Sequence, residues 1–219
     1  MRLIGILFTC LLGFVSCSSF DLDGAKSNTI NGTTDVPMNK VGTNFKTSVS
    51  IPMSIYTGKA SASVAKVENG VTTISFEATL PANQPLLNGI KSKYKDANGN
   101  LKCEGTFKIT NEGILDYNNA DHEPFVLVKF DAKVGDKYKL KKSDGTVITR
   151  EVVRKSTEDD WLWNGMMIKT IDVEQDSRIP GVSKLIYFTN HKFGIVGVRA
   201  KLEDGTTSQV DFYPSAYLK

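Results

Sequence analysis

From residue 44 onward the chain reads as short runs of alternating apolar and polar residues broken by glycine-containing dipeptides, and this confines it to hairpins. Four dipeptides, Asn69-Gly70, Asn98-Gly99, Asp144-Gly145 and Asp204-Gly205, lie between such runs. A type I′ turn needs positive φ at both central residues, which Asn-Gly and Asp-Gly tolerate best. In 48–55, Val49, Ile51, Met53 and Ile55 alternate with Ser48, Ser50, Pro52 and Ser54. Pro52 has no N–H to donate, which places this strand at an edge or a bulge. Ile74, Phe76, Ala78 and Leu80 alternate in the same way with Thr73, Ser75, Glu77 and Thr79. Around Asn98-Gly99, Lys91, Lys93 and Lys95 alternate with Ile90, Ser92 and Tyr94, and Leu101, Cys103 and Phe107 follow on the return. A strand is preferred for the incoming arm over a helix starting at Pro85.

Val126, Val128 and Phe130 mark a further strand, and the largely apolar stretch 182–189 marks a central one. Val196, Val198, Ala200 and Leu202 alternate with Gly197, Arg199 and Lys201, and Val210 and Phe212 return after Asp204-Gly205. With roughly nine to eleven strands and no βαβ repeat, the expected class is all-β. Two architectures satisfy it: an antiparallel β-sandwich, or a curved, partly closed barrel built from hairpins. A single β-domain over 44–219 is expected. A subdivision near 115–124, where Leu115 to Pro124 interrupt the strands, stays open.

The N-terminus carries a different pattern. Arg2 precedes an apolar stretch from Leu3 to Val15, which ends in the small residues Ser16 and Cys17. A helix of this stretch is about 20 Å long, short of the roughly 30 Å hydrocarbon core. The pattern is that of a secretory leader over residues 1–16. Phe14-Val15-Ser16-Cys17 resembles the cleavage box of bacterial lipoproteins, matching it at Ser16 and Cys17 and departing from its usual Leu at Phe14. The resemblance implies that Cys17 is acylated and anchors the chain to a membrane. It covers only about the first twenty residues, and it gives an address and no activity. Cleavage after Ser18 by the ordinary signal peptidase is the rival, and Cys10 follows too few apolar residues to be the acceptor. Ser18, Asp21 and Asp23 resemble lipoproteins sent on to the outer membrane, facing the periplasm or the cell surface. Residues 17–43, rich in Ser, Asn, Thr, Gly and Asp, read as a flexible tether with a typical span of about 25–30 Å.

Lys+Arg number 27 against Asp+Glu 24, a formal net charge of +3, too small an excess to suggest nucleic acid as a partner. Three Cys and two His cannot supply a zinc finger, haem or iron–sulfur centre, so no metal or cofactor is expected. His122, between Asp121 and Glu123, reads as a surface-loop residue, and His191 as part of a hairpin turn. Asp96, Asn98 and Asn100 imitate the opening of a calcium loop. Phe107 stands where a bidentate Glu is needed, so a plain turn is expected. Cys103 reads as a small buried hydrophobe.

Trp161 and Trp163, with Met166 and Met167 close behind, are the candidate ligand-binding residues. Two positions apart in a strand, both indoles share one face, either as a platform for a sugar ring or apolar ligand or as a plug on the β-core. Glu158, Asp159 and Asp160 stand next to them to accept hydrogen bonds. No Ser/His/Asp order, phosphate-cradling loop or zinc helix is present, so no catalytic residue is assigned. The expected function is a lipid-anchored envelope domain of binding or structural type, not an enzyme. Its candidate partners are a glycan, an apolar ligand or an envelope protein. The rivals are a carrier with an apolar cavity that has Trp161, Trp163, Met166 and Met167 at its lining or mouth, and a glycan-acting enzyme with two facing carboxylates.

Overall fold

The structure, a computed structural model, describes residues 27–50, 60–79, 92–98, 100–177 and 181–217. Among the described residues fourteen strands are formed: β1 (Asn44–Ser50), β2 (Ala60–Glu68), β3 (Val71–Thr79), β4 (Asn100–Ile109), β5 (Gly113–Asp116), β6 (Phe125–Lys129), β7 (Lys137–Lys141), β8 (Val147–Lys155), β9 (Trp161–Trp163), β10 (Met166–Ile168), β11 (Ile171–Asp176), β12 (Val182–Asn190), β13 (Gly194–Leu202) and β14 (Thr207–Pro214). Twelve make one antiparallel sheet in the order β6-β5-β4-β3-β2-β1-β14-β13-β12-β11-β8-β7, while β9 and β10 stand apart as a hairpin. The sheet curls into a nearly closed barrel, so of the two expected architectures the barrel is the one formed. The strands either side of 117–124 share this sheet and one apolar cluster.

Alternation puts the core inside. On β4, Leu101, Cys103, Phe107 and Ile109 are buried while Lys102 and Glu104 are exposed. On β12 the two faces serve different clusters. Leu185 and Tyr187 join the barrel interior, whereas Ile186 and Phe188 face outward into a smaller cluster with Trp163, Ile168, Phe193 and Val196. That double burial explains why 185–188 reads as a continuous apolar run.

The turns follow two chemistries. Asn69 and Gly70 both take positive φ, 50° and 75°, as a type I′ turn requires. At Asp144-Gly145 and Asp204-Gly205 only the glycines do, at 81° and 83°. The aspartates instead accept hydrogen bonds from Thr146 N and Thr206 N, both at 2.9 Å, so these are Asx-type turns and not the expected type I′. A further hairpin, β9–β10, turns on Asn164-Gly165 with φ of 47° and 80°. The described part of the arm before Asn98, residues 92–98, is not a strand, and Ile90, Lys91 and Gly99 lie outside the described residues. Ser92–Tyr94 form a 3-10 turn, and only Lys95 bridges to Leu101. β1 pairs with β14 along Phe45–Ser50 and with β2 only at Asn44–Lys46, so it is flanked on both sides at its start. Residues 51–59, with Pro52, Met53 and Ile55, lie outside the described residues.

The expected tether is packed from Asn28 onward. Ile30 and Met38 are buried, Pro37–Asn39 form one 3-10 turn, and Gly42 N donates to Val64 O at 2.9 Å. This strap starts in the seam between the edge strands β6 and β7. Asn28 Nδ2 donates to Lys139 O at 2.7 Å, and its Oδ1 accepts from Val126 N at 3.3 Å. The strap then crosses one end of the barrel, past the β4–β5 turn, where Thr33 N donates to Asn111 Oδ1 at 2.9 Å, to Asn39, whose Nδ2 donates to Ile109 O at 2.8 Å. Its few apolar residues touch turns and strand ends, which have no common period, so the sequence shows none. Cys10 and Cys17 lie outside the described residues.

Side chains complete the seam. Arg150 on β8 is 2% exposed, pairs with Asp116 on β5, and donates to Phe125 O at 3.4 Å and Val126 O at 3.2 Å on β6. Its Nε donates to Gln175 Oε1 at 2.8 Å, and its guanidinium lies 4.1 Å from the Phe125 ring centre. Lys129 N donates to Tyr138 Oη at 3.4 Å across the same gap. A buried guanidinium with nearly all its donors used is tolerable where an unpaired one would not be.

Candidate functional site

The β9–β10 hairpin lies over the outer face of β12, β13 and β14, held by the indole face of its strands. Met166 pairs with Trp163, Met167 with Leu162, and Ile168 with Trp161. Alternation therefore turns Trp161, Trp163 and Ile168 toward the barrel and Leu162 and Met167 away from it. Trp163 is 1% exposed and stacks on Phe193 with ring centres 4.4 Å apart. Its Nε1 donates to Phe212 O at 3.0 Å. Trp161 stacks on Phe188 at 4.1 Å, and the Arg199 guanidinium stands 5.9 Å from its ring centre. Trp161 Nε1 is buried without a hydrogen-bond partner among the described residues. The two indoles do share a face, and it is the face that anchors the hairpin.

What the hairpin presents to solvent is aliphatic: Leu162 is 71% exposed, Met167 49% and Met166 43%. The acidic run before it is divided. Asp160 is engaged, taking hydrogen bonds from Ser156 Oγ at 2.7 Å and from Arg154, which hold its carboxyl below the usual range. Glu158 and Asp159 are exposed. Asp172 and Asp211 lie on the sheet's outer face near Arg199. Burial raises the pKa of both, partly offset by hydrogen bonds from Thr170 and Gln209 respectively.

Other sequence candidates are dispersed. His122 lies in the β5–β6 connection with φ of 55°, and His191 in the β12–β13 turn at the opposite end of the barrel. Asp96 closes its turn by accepting from Asn98 N at 2.8 Å and Asn100 N at 3.0 Å. Cys103 faces inward, and burial, followed by the charge of Glu104, pushes its thiol up to about 12, where it is no nucleophile. Among the described residues no group of three or more His, Cys, Asp or Glu could hold a metal.

An apolar void among the described residues falls far short of the carrier expectation. At the end crossed by the strap, a void of about 30 Å³ remains between Met38, Phe45, Phe107, Ile109, Phe193 and Phe212, against the roughly 300–1,000 Å³ of ligand pockets. Trp161, Trp163, Met166 and Met167 are not among its walls. At the other end an open depression of about 510 Å³ is rimmed by Glu77, Thr79, Asp96, Asn100 and Lys102.

Sequence reasoning missed Leu162, although Asn164-Gly165 signalled the hairpin that exposes it. It also missed Arg150 and Asp116, for which no one-dimensional signal exists.

No family model matches the chain, and no curated protein matches it. Among solved structures, one described as a "putative lipoprotein" from Parabacteroides distasonis aligns with 80% of this chain and 94% of its own, at 10% identity and a TM-score of 0.46.

Proposed function

We propose that this is a non-enzymatic binding module of the bacterial envelope, acylated at Cys17 and sorted to the outer membrane, which uses the β9–β10 hairpin to engage another envelope protein. The observation that carries this reading is the pairing of opposites in the hairpin. Trp163 and Ile168 lock it to the barrel while Leu162 and Met167 on its other face, and Met166 beside its turn, stand in water. An exposed aliphatic cluster on a rigid support is the makeup of an interface centre, with methionines adaptable enough to fit a partner. The carboxylates of Glu158 and Asp159 immediately before β9 favour a protein over an anionic lipid surface.

Two experiments test it. Cys17→Ala is expected to release the protein from membranes, and unchanged membrane association refutes acylation as the anchor. A photo-crosslinking residue at Leu162 in the intact cell is expected to give a protein adduct of defined mass, absent when the same residue replaces the exposed Lys66. Lipid adducts alone, or identical patterns at both sites, refute the hairpin as a protein interface.

A further inference from the structure

The tip of the β9–β10 hairpin carries a chemistry of its own. Where glycine follows asparagine, the glycine main-chain nitrogen has no neighbouring Cβ to hinder it and can attack the asparagine Cγ. What governs the attack is how freely the two residues turn about the peptide between them.

Five Asn-Gly steps occur in the chain, at Asn31, Asn69, Asn88, Asn98 and Asn164, and Asn88, Gly89 and Gly99 lie outside the described residues. Two of the others are packed. An ideal Cβ on Gly32 would collide with Asn111 Oδ1, because the strap there lies on the β4–β5 turn. On Gly70 it would stand 3.0 Å from Thr34 Cγ2, because the strap lies against the β2–β3 turn. Gly165 has nothing within 4 Å of the same position. Asn164 and Gly165 are both exposed, and among the described residues no hydrogen bond holds the Asn164 carboxamide. Gly145 N and Gly205 N, in the aspartate turns, donate to Lys142 O and Leu202 O, whereas among the described residues Gly165 N has no such acceptor. The hairpin behind the tip is closed by three residue pairs, with Met166 and Trp163 nearest the turn.

We propose that Asn164 is a self-modifying site whose deamidation limits the working life of the docking face. Gly165 N gives its proton to hydroxide and bonds to Asn164 Cγ, the Cγ–Nδ2 bond breaks, and ammonia leaves behind a cyclic imide. Water then opens the imide. Opening at Cγ gives aspartate, and opening at the main-chain carbonyl gives isoaspartate, with Gly165 N left on Cγ. In sum one water enters, one ammonia leaves, and no oxidant or reductant takes part. Either product puts a carboxylate between Trp163 and Met166, beside the exposed aliphatic side chains. Isoaspartate also adds a methylene to the main chain, which a two-residue turn cannot absorb while Leu162 stays opposite Met167. The loss of docking rests on the interface proposed above, but the modification does not.

The full chain, extracted from membranes in detergent, is kept for days at mildly alkaline pH, digested, and mapped by chromatography and mass spectrometry that separate the two products. In the folded chain Asn164 is expected to convert about tenfold faster than Asn31 or Asn69, since local opening is easiest at a loose tip. In urea, where only the shared Asn-Gly step remains, the three rates are expected to converge. Equal rates in the folded chain, or a slower Asn164, overturn the proposal. The second arm uses Asn164→Gly, which keeps a residue suited to positive φ and has no amide to lose. Chains carrying the photo-crosslinking residue at Leu162 are aged and added to envelope membranes of cells that lack the protein. The adduct is expected to fall in step with conversion in the native sequence and to persist in Asn164→Gly. Conversion with an undiminished adduct overturns the limit on docking. A fresh chain that gives no adduct refutes the interface on which that limit rests, and the peptide map decides the modification separately.

Discussion

Removing the Asp116 carboxylate tests whether the barrel is closed by charge at its seam. In Asp116→Ala the Arg150 guanidinium stays 2% exposed, with Gln175 and two β6 carbonyls as its remaining partners and no counter-charge. Orphaning one member of a buried pair costs about 3–5 kcal/mol, a large share of the 5–15 kcal/mol that holds a domain folded. At about 2–4 °C per kcal/mol for a domain of this size, the melting temperature should fall by about 6–20 °C. The assay is urea and thermal unfolding followed by near-UV circular dichroism, with Arg150→Met/Asp116→Val measured alongside. Replacing both partners removes the unpaired charge, so the double variant should be more stable than Asp116→Ala. A single variant within about 1 kcal/mol of the native protein, or a double variant no more stable than Asp116→Ala, refutes the reasoning.

The two indoles should part company under the same substitution. Trp163→Phe loses the hydrogen bond to Phe212 O and is expected to cost about 1–3 kcal/mol by chemical denaturation, whereas Trp161→Phe removes a buried N–H that has no partner among the described residues and should stay within about 1 kcal/mol; equal losses would contradict this. Asp211 and Glu174 should respond to pH with opposite sign. Burial raises Asp211, so the folded state holds its proton more tightly, and its contribution is complete below about pH 3.8 and is lost as the pH climbs through the folded value. Asp211→Asn should therefore gain on the native protein as the pH rises from 3 to 6. Glu174 is pushed up by burial but pulled further down by the hydrogen bond and charge of Lys184, then of Lys201, so its contribution is present above about pH 4.5 and is lost on acidification. Glu174→Gln should flatten the acid limb of a melting-temperature profile, and an unchanged limb would count against the pairing.

The strand pattern was legible because each sheet residue faces either the core or water, and period two survives in one dimension. Leu101, Cys103 and Phe107 on β4 were readable for that reason. The strap was not, because Ile30 and Met38 are buried by turns that come from distant parts of the chain. Arg150 sits between Thr149 and Glu151, where a charge reads as the wet face, and only the closing of the sheet brings Asp116 to it. The indoles were singled out from sequence with both roles open. Which face of their hairpin meets the barrel depends on Phe188 and Phe193, which local spacing does not reveal.

A chain folds among many copies of itself, and an unpaired strand margin invites a neighbour's backbone to add on. Here Asn28, Tyr138 and Arg150 claim amides and carbonyls of β6 and β7 that such a neighbour would use, and the lysines at 137, 139 and 141 line the other margin with charge. The seam is therefore also a guard against self-templating, and a variant that loosens it should polymerise through β6 before it loses the rest of its structure.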